Sequence, residues 1–468
     1  MDETKKLSKR CHELTFEDLS NQEIDRVKYL LLDYLGVSAR GSLYDSSRPL
    51  HNLILNSGLD IGKALVIGTD IQTVPAYAAL ANGTAAHSPE LDDVVNESSL
   101  HPGVVVFSAA LAAACISPCT FRQFAPAITA GYDVINRLAV SLNPSAPYEK
   151  GFHPTGICGT MGAAVTAAMM LGLDQTGIVN SLGIAGSQAS GSMEFLADGA
   201  TTKRFNAGWA AHGGIIAAQL AAEGFTGPQT ILEGKYGFLH AYANQSHPQR
   251  ILADWGKPFY IMKTSIKPHS CCRYKQGPID GVLAIMHEQQ LEAVDIEKVT
   301  IGMLKAGFSL VAEPRHLKVR PGSVVDAQFS MPFGVAVAIL FGKATLDQYT
   351  LEKVQSAQVR ELMEKVTCVA DEALDREFPQ KWPASVTITL KSGQSYAKKI
   401  ETPKGDPENP LSWEELIDKF KYLVSPLLSS QAAEKIITSV RSLQSNSEMS
   451  VFSEILKKTP LDTKNGIP

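Results

Sequence analysis

At 468 residues the chain is longer than one hydrophobic core usually organises, and its 44% apolar and 19% charged residues exclude a disordered, collagen-like or disulfide-scaffold protein. Lysine and arginine total 43 against 48 acidic residues, a net charge of -5, so no broad cationic field invites nucleic acid or anionic lipid. The N-terminus (MDETKKLSKRCHELTFEDL) lacks the apolar core of a secretory signal, and the least polar run, 103–116, is short for a bilayer span. These features argue for a cytosolic chain with no membrane partner.

In chain order, Thr15-Phe-Glu-Asp18 reads as a capping box, and Ile24, Val27, Leu30, Leu31, Tyr34 and Leu35 follow at helical spacing before Gly36. Three stretches rich in alanine and glycine, 104–115, 156–171 and 207–223, lack the polar face of a surface helix and read as buried helices. From about residue 264 short β-branched runs appear: 298–304, 366–370, and 386–390 followed by 395–400 as a hairpin. Helical signals at 327–341 and 351–364 interrupt them. Beyond the Pro/Gly-rich loop 402–410, Ser412-Trp-Glu-Glu415 caps a helix, and 431–443 and 452–458 suggest more. The expected architecture is mostly α with an α+β insertion: a large all-helical domain from 1–263 and 405–468, and a smaller α+β domain over 264–404.

Seven scattered cysteines, an odd number with no signal peptide, argue for thiols. None of the usual zinc or iron–sulfur spacings is present, nor a P-loop, a GxGxxG after a strand, a GxSxG elbow or an HExxH helix. What is left is acid–base chemistry. The stretch from His87 to Gly103 (HSPELDDVVNESSLHPG) places Glu90, Asp92, Asp93 and His101 in one loop before a buried helix. Carboxylates beside an imidazole suit proton transfer, because close neighbours displace one another's pKa. The bland alternative is that the aspartates cap the helix and His101 lies on the surface. His153, in Gly-Phe-His-Pro-Thr, precedes a second small-residue helix and is either a functional imidazole or a satisfied core histidine. Lys203 and Arg204 precede the third, as carboxylate binders or solvated charge. Lys267-Pro-His-Ser-Cys-Cys-Arg273 joins a cation, a histidine and two thiols at the start of the insertion.

In this order, Asn82 to Asp93 with His101-Pro-Gly103, Gly151 to Thr155, Lys203 to Gly214, Gly224 to Pro228, Lys267 to Arg273, Asp326 to Ser330 and Asn409-Pro410 resemble the MmgE/PrpD family over nearly the whole chain. That family includes 2-methylcitrate dehydratases, cis-aconitate decarboxylases and iminodisuccinate epimerases. The resemblance implies a homodimer whose α+β insertion acts as a lid, and an enzyme that uses no metal and no organic cofactor on a small polycarboxylate. It puts His101, His153, Lys203 and Lys267 in the active site; the expected catalytic set is His101 or His153 as base, with the other, or Glu90 or Asp93, handling the opposite proton transfer beside Lys203, and Lys203, Lys267, Cys272 and Arg273 are the expected substrate contacts.

This sequence departs from the family pattern at four places. Glu90 stands where many members have Asp, Val94 where Thr is common, Cys272 where the decarboxylases have His, and, on an approximate alignment, Leu317 where they have Tyr. Losing the hydroxyl, the imidazole and the phenol disfavours a decarboxylase and ranks the dehydratase or isomerase branch higher; the expectation is a 2-methylcitrate dehydratase-like lyase, with a cis-aconitate decarboxylase-like lyase or an epimerase-like isomerase as alternatives. A non-catalytic carboxylate-binding relative is the expectation from a different class.

Overall fold

A computed structural model describes residues 2–378, 381–452 and 456–457. Short polar boxes set the helix starts. The Thr15/Asp18 box closes only a 3-10 turn, Phe16–Asp18, and a second box, Ser20 with Glu23, starts the long helix. The first element is an earlier helix, α1 (Glu3–Glu13), followed by α2 (Asn21–Gly41).

The chain divides into two compact units. The first, 1–88, 92–264 and 412–468, is built on α2, α3 (Pro75–His87), α4 (Gly103–Ile116), α5 (Phe121–Leu142), α6 (Pro154–Met170), α7 (Gln175–Gly186) and α8 (Thr202–Ala222). Helices α4, α6 and α8 are the three small-residue stretches. The alanine-rich α3 and the amphipathic α5, which carries Pro126 inside it, join them.

Glycines let these helices touch backbone to backbone. A Cβ on Gly83 of α3 would sit 2.9 Å from Gly208 Cα of α8, and one on Gly208 would sit 2.2 Å from the Leu80 carbonyl oxygen. Overpacking such a contact costs about 1–3 kcal/mol. This crossing fixes the C-terminal end of α3, with His87, relative to α8, which carries Lys203 in its first turn.

The second unit, 265–411 with 89–91, contains α9 (Gln276–Glu288), β1 (Ile296–Met303), α10 (Met331–Phe341), β2 (Val366–Ala370), β3 (Ala384–Leu390) and β4 (Ser395–Ile400). The strands form a mixed sheet in the order β2-β1-β3-β4. β1 runs parallel to β2, with Thr300 opposite Thr367, and antiparallel to β3, with Thr300 opposite Thr387. β3 and β4 are the expected hairpin, Ala384 pairing with Ile400. Where one helix was expected at 351–364, two short ones lie end to end, Leu351–Gln355 and Ala357–Glu364. The insertion expected at 264–404 thus compares with a unit that runs on to 411 and takes in 89–91.

The chain returns to the first unit with α11 (Trp413–Val424), started by the Ser412/Glu415 box, and α12 (Ser430–Arg441). Lys419 of α11 ties back to the buried Asp33 of α2 at 2.7 Å. The helix expected at 452–458 lies partly outside the described residues. Among the described residues no helix is long and apolar enough to cross a membrane, and all seven cysteines are free thiols.

Candidate active site

In the first unit, three imidazoles and two carboxylates from distant parts of the chain form one buried nest. His87 ends α3, His153 is the residue before Pro154 at the start of α6, and Asp92, Asp93 and His101 lie on the segment leading into α4. The His87 ring stacks on His153, centroids 5.8 Å apart and 19° between planes, and meets His101 edge-on at 4.9 Å. Phe195 closes the far side of His153 at 6.0 Å. His87 is fully buried and His153 nearly so, whereas the His101 side chain keeps 14% exposure.

Hydrogen bonds fix the protonation pattern. His101 Nδ1 lies 2.8 Å from the Asp93 carbonyl oxygen. A carbonyl only accepts, so Nδ1 carries the ring proton and the neutral ring's lone pair is on Nε2, where a base needs it. The same Nδ1 is 3.0 Å from Asp92 Oδ2, which also lies 2.7 Å from His87 Nδ1. The His101 backbone amide donates to Thr155 Oγ1 at 3.1 Å, tying the loop to α6.

Both carboxylate oxygens of Asp93 accept from the scaffold. Tyr132 of α5 donates its hydroxyl to Oδ2 at 2.6 Å and the Gly103 amide donates to Oδ1 at 2.9 Å. The glycine of His101-Pro-Gly103 is explained by the same contact: a Cβ there would come within 2.7 Å of Asp93 Oδ2 and of the Tyr132 hydroxyl. Burial pushes the Asp93 carboxyl up to about 7, against the opposing pull of these two donors. Asp93, expected as a catalytic acid or base, is thus anchored by its side chain while its carbonyl orients His101.

Burial also pushes His87 down to about 4. Asp92 opposes that shift, and the Lys203 charge adds to it. His87 is therefore neutral near pH 7, and its Nε2 makes no hydrogen bond among the described residues. Lys203 itself is half-buried, and the neighbouring Arg204 is buried, with its Nε 3.5 Å from the Ser88 carbonyl oxygen.

His87, Asp92 and His101 are also the group whose donor atoms, all within 4.8 Å, would be considered for a metal ion among the described residues. Two nitrogen or oxygen ligands at about 2.0–2.1 Å on a tetrahedral zinc stand roughly 3.3 Å apart. The observed 2.7 Å and 3.0 Å are hydrogen-bond separations, so the arrangement as built suits shared protons.

The remaining expected residues belong to the second unit. Glu90 has left-handed backbone, φ 56°, a conformation with a steric cost for a residue bearing a Cβ. Its segment is gripped at the Pro89 carbonyl by Ser270 Oγ at 2.6 Å and Gln328 Nε2 at 3.4 Å. Lys267 Nζ faces Glu90 Oε2 at 3.6 Å, both side chains buried. The Cys272 amide donates to the Gln328 carbonyl at 3.1 Å.

Arg273 places one guanidinium nitrogen 2.7 Å from each oxygen of Asp406 and lies over the Trp382 ring at 5.3 Å. That guanidinium is engaged in holding the 402–410 loop. Lys275, which the motifs did not single out, is fully buried. It donates to the Ala327 and Gln328 carbonyls at 2.9 and 3.3 Å and to the Tyr349 hydroxyl at 3.1 Å, and burial lowers its pKa to about 8.

Residues 5–251 match the MmgE/PrpD N-terminal domain and residues 269–445 the MmgE/PrpD C-terminal domain. The chain belongs to the MmgE/PrpD family. A cis-aconitate decarboxylase-like protein of Aspergillus oryzae is 26% identical over 94% of this chain and 94% of its own length. The cis-aconitate decarboxylase of Homo sapiens is 27% identical over 97% and 94%, and the 2-methylcitrate dehydratase of Salmonella typhimurium 23% identical over 91% and 90%. These relatives of the MmgE/PrpD chain are enzymes, decarboxylases and dehydratases. The sequence motifs place Asp92 in the acid–base loop but assign no role to His87 or Tyr132. His87 and Asp92 were visible as the ends of a His-x4-Asp spacing, while Tyr132 sits mid-helix in α5, 39 positions from Asp93, with no local signal.

Proposed function

We propose that this chain is an acid–base enzyme acting on a small di- or tricarboxylate, and specifically a 2-methylcitrate dehydratase-like lyase. His101 Nε2 removes a proton α to a carboxylate, and His153 donates a proton to the departing hydroxyl. The electrons of the broken C–H bond form a double bond from the α-carbon to its hydroxyl-bearing neighbour as the C–O bond of that neighbour breaks, and the hydroxyl leaves with the proton of His153 as water. Lys203, half-buried and close enough to bias His87, anchors a carboxylate of the substrate.

The observation that carries this reading is the carbonyl-fixed Nδ1–H of His101, which leaves a basic Nε2 on the most exposed of the three imidazoles. The reaction so written needs no metal or organic cofactor. Arg273 is left out of the anchors because Asp406 already engages it.

Dehydration ranks above decarboxylation because Val94 and Cys272 lack the hydroxyl and imidazole that would guide protonation after CO2 is lost. Leu317, exposed on the short helix Arg315–Lys318, does not bear on this choice. Decarboxylation is the second reading, since the relatives named as decarboxylases include those with the higher identities. Incubating the protein with 2-methylcitrate, citrate, cis-aconitate and iminodisuccinate and following products by NMR tests the proposal. An unsaturated acid formed with loss of water supports dehydration. Itaconate from cis-aconitate replaces it with decarboxylation, an epimerised substrate replaces it with isomerisation, and no conversion in the panel overturns it.

A further inference from the structure

His87 and Asp92 take no part in the proposed reaction, yet they are the most buried polar pair of the nest, at 0% and 1% side-chain exposure. A buried charged group persists where it is hydrogen-bonded and has work to do on its neighbours. Asp92 Oδ2 is within hydrogen-bond distance of two imidazole Nδ1 atoms at once, His87 at 2.7 Å and His101 at 3.0 Å. An ionised carboxylate only accepts, so each of these nitrogens must bring a proton. The Asp93 carbonyl imposes the same polarity on His101 independently, from the backbone.

We infer that Asp92 is a positioning residue that fixes the tautomers of two imidazoles together: it holds His87 and His101 as Nδ1–H rings, while His87 serves as the neutral spacer between His101 and His153. The role rests on the reading of His101 as base. It resembles the carboxylate of a Ser-His-Asp triad, which orients an imidazole and stabilises its charged form without itself moving a proton. What differs is the second imidazole on the same oxygen.

The nest is arranged so that an incoming proton stays on His101. Lys203 from α8 disfavours a charge on His87. Beyond the carboxylate pair lie Tyr132 from α5 and Asp33 from α2, both of which act on Asp93. The remaining facing group is His153 from α6, stacked on His87. Protonated His101 would sit against Asp92, and His87 would remain neutral.

The test uses the full-length protein labelled with 15N-histidine, whose ring nitrogens report protonated and bare sites directly. Signals of His87 and His101 are assigned by their loss in His87→Gln and His101→Gln. At neutral pH both rings are expected to show Nδ1–H and a bare Nε2. An Nε2–H tautomer on either ring would overturn the inference whether or not a substrate is known. Asp92→Asn, checked for folding by its thermal melt, is expected to mix the tautomers of His87 while the Asp93 carbonyl keeps His101 as Nδ1–H, and to lower kcat about 10²-fold with KM within about threefold through the lost carboxylate. Wild-type kcat in that variant contradicts the role. If the wild-type protein converts no acid in the panel, the functional reading fails and the ring spectra still decide the tautomers.

Discussion

The two units use the same residue types in opposite ways. In the second, the ionic groups bind the chain to itself: Arg273 to Asp406, His269 to Asp280, Lys267 to Glu90, and Lys275 to two carbonyls and a phenol. In the first, one carboxylate oxygen is shared by two imidazoles, a third imidazole stacks on them, and His101 keeps part of its ring exposed. A charge that is fully satisfied fixes structure, whereas a nest with a proton to share and an accessible nitrogen can do chemistry. Substitutions of His101 and Lys203 in the first unit should therefore act mainly on turnover, and those of the paired charges in the second on stability.

The largest expected effect is on rate. His101→Ala should lower kcat about 10³-fold, roughly 4 kcal/mol of barrier, with the melting temperature little changed. Lys203→Met should lower kcat/KM about 10²-fold. Steady-state kinetics near wild-type for both would remove the distinction between the units. Next is the buried pair. Lys267→Met removes the cation facing the buried Glu90 and should destabilise by about 3–4 kcal/mol in urea unfolding, and adding Glu90→Gln should recover most of that loss. A double variant no more stable than the single one would mean that the two side chains are not coupled.

A third prediction concerns pH. The folded-state pKa of His87 is depressed from 6.5 to about 4, so its contribution, about 3 kcal/mol, is present above pH 6.5 and lost as pH falls toward 4. Asp93 has the opposite sign: its pKa is raised from 3.8 to about 7, so its contribution is present below 3.8 and lost as pH rises through 7. Between pH 6.5 and 4 the two oppose each other. His87→Asn removes the first, so the variant should gain stability relative to wild type on acidification across that window. Parallel denaturation midpoints for the two proteins would show that His87 is not held neutral by burial. The smallest effect is expected from Gly103→Ala, about 2 kcal/mol in stability, because its methyl meets the Asp93 carboxylate and the Tyr132 hydroxyl. Thermal melts equal to wild type would mean that this contact relaxes.

What the sequence reveals depends on how local the signal is. The hairpin of β3 and β4 was legible from alternation around Lys-Ser-Gly-Gln, and α4, α6 and α8 from their alanine and glycine content. Helix α5 was missed because Pro126 and a mixed face hide its period, and α3 because its residues read first as a motif. In the site, His101, His153 and Lys203 announced themselves by preceding small-residue helices. The Asp93–Tyr132 bond and the stacking of His87 on His153 join residues far apart in the chain, and only folding brings them together. The commitment of Arg273 to Asp406 was hidden for the same reason: its partner lies 133 residues on.

The most direct measurement of the central claim is solvent deuterium exchange at the α-carbon of the acid that is turned over, followed by NMR in wild-type, His101→Ala and Lys267→Met proteins. The account predicts exchange in wild type, its loss in His101→Ala, and its retention in whatever fraction of Lys267→Met remains folded. Exchange that persists at the wild-type rate in His101→Ala would contradict it.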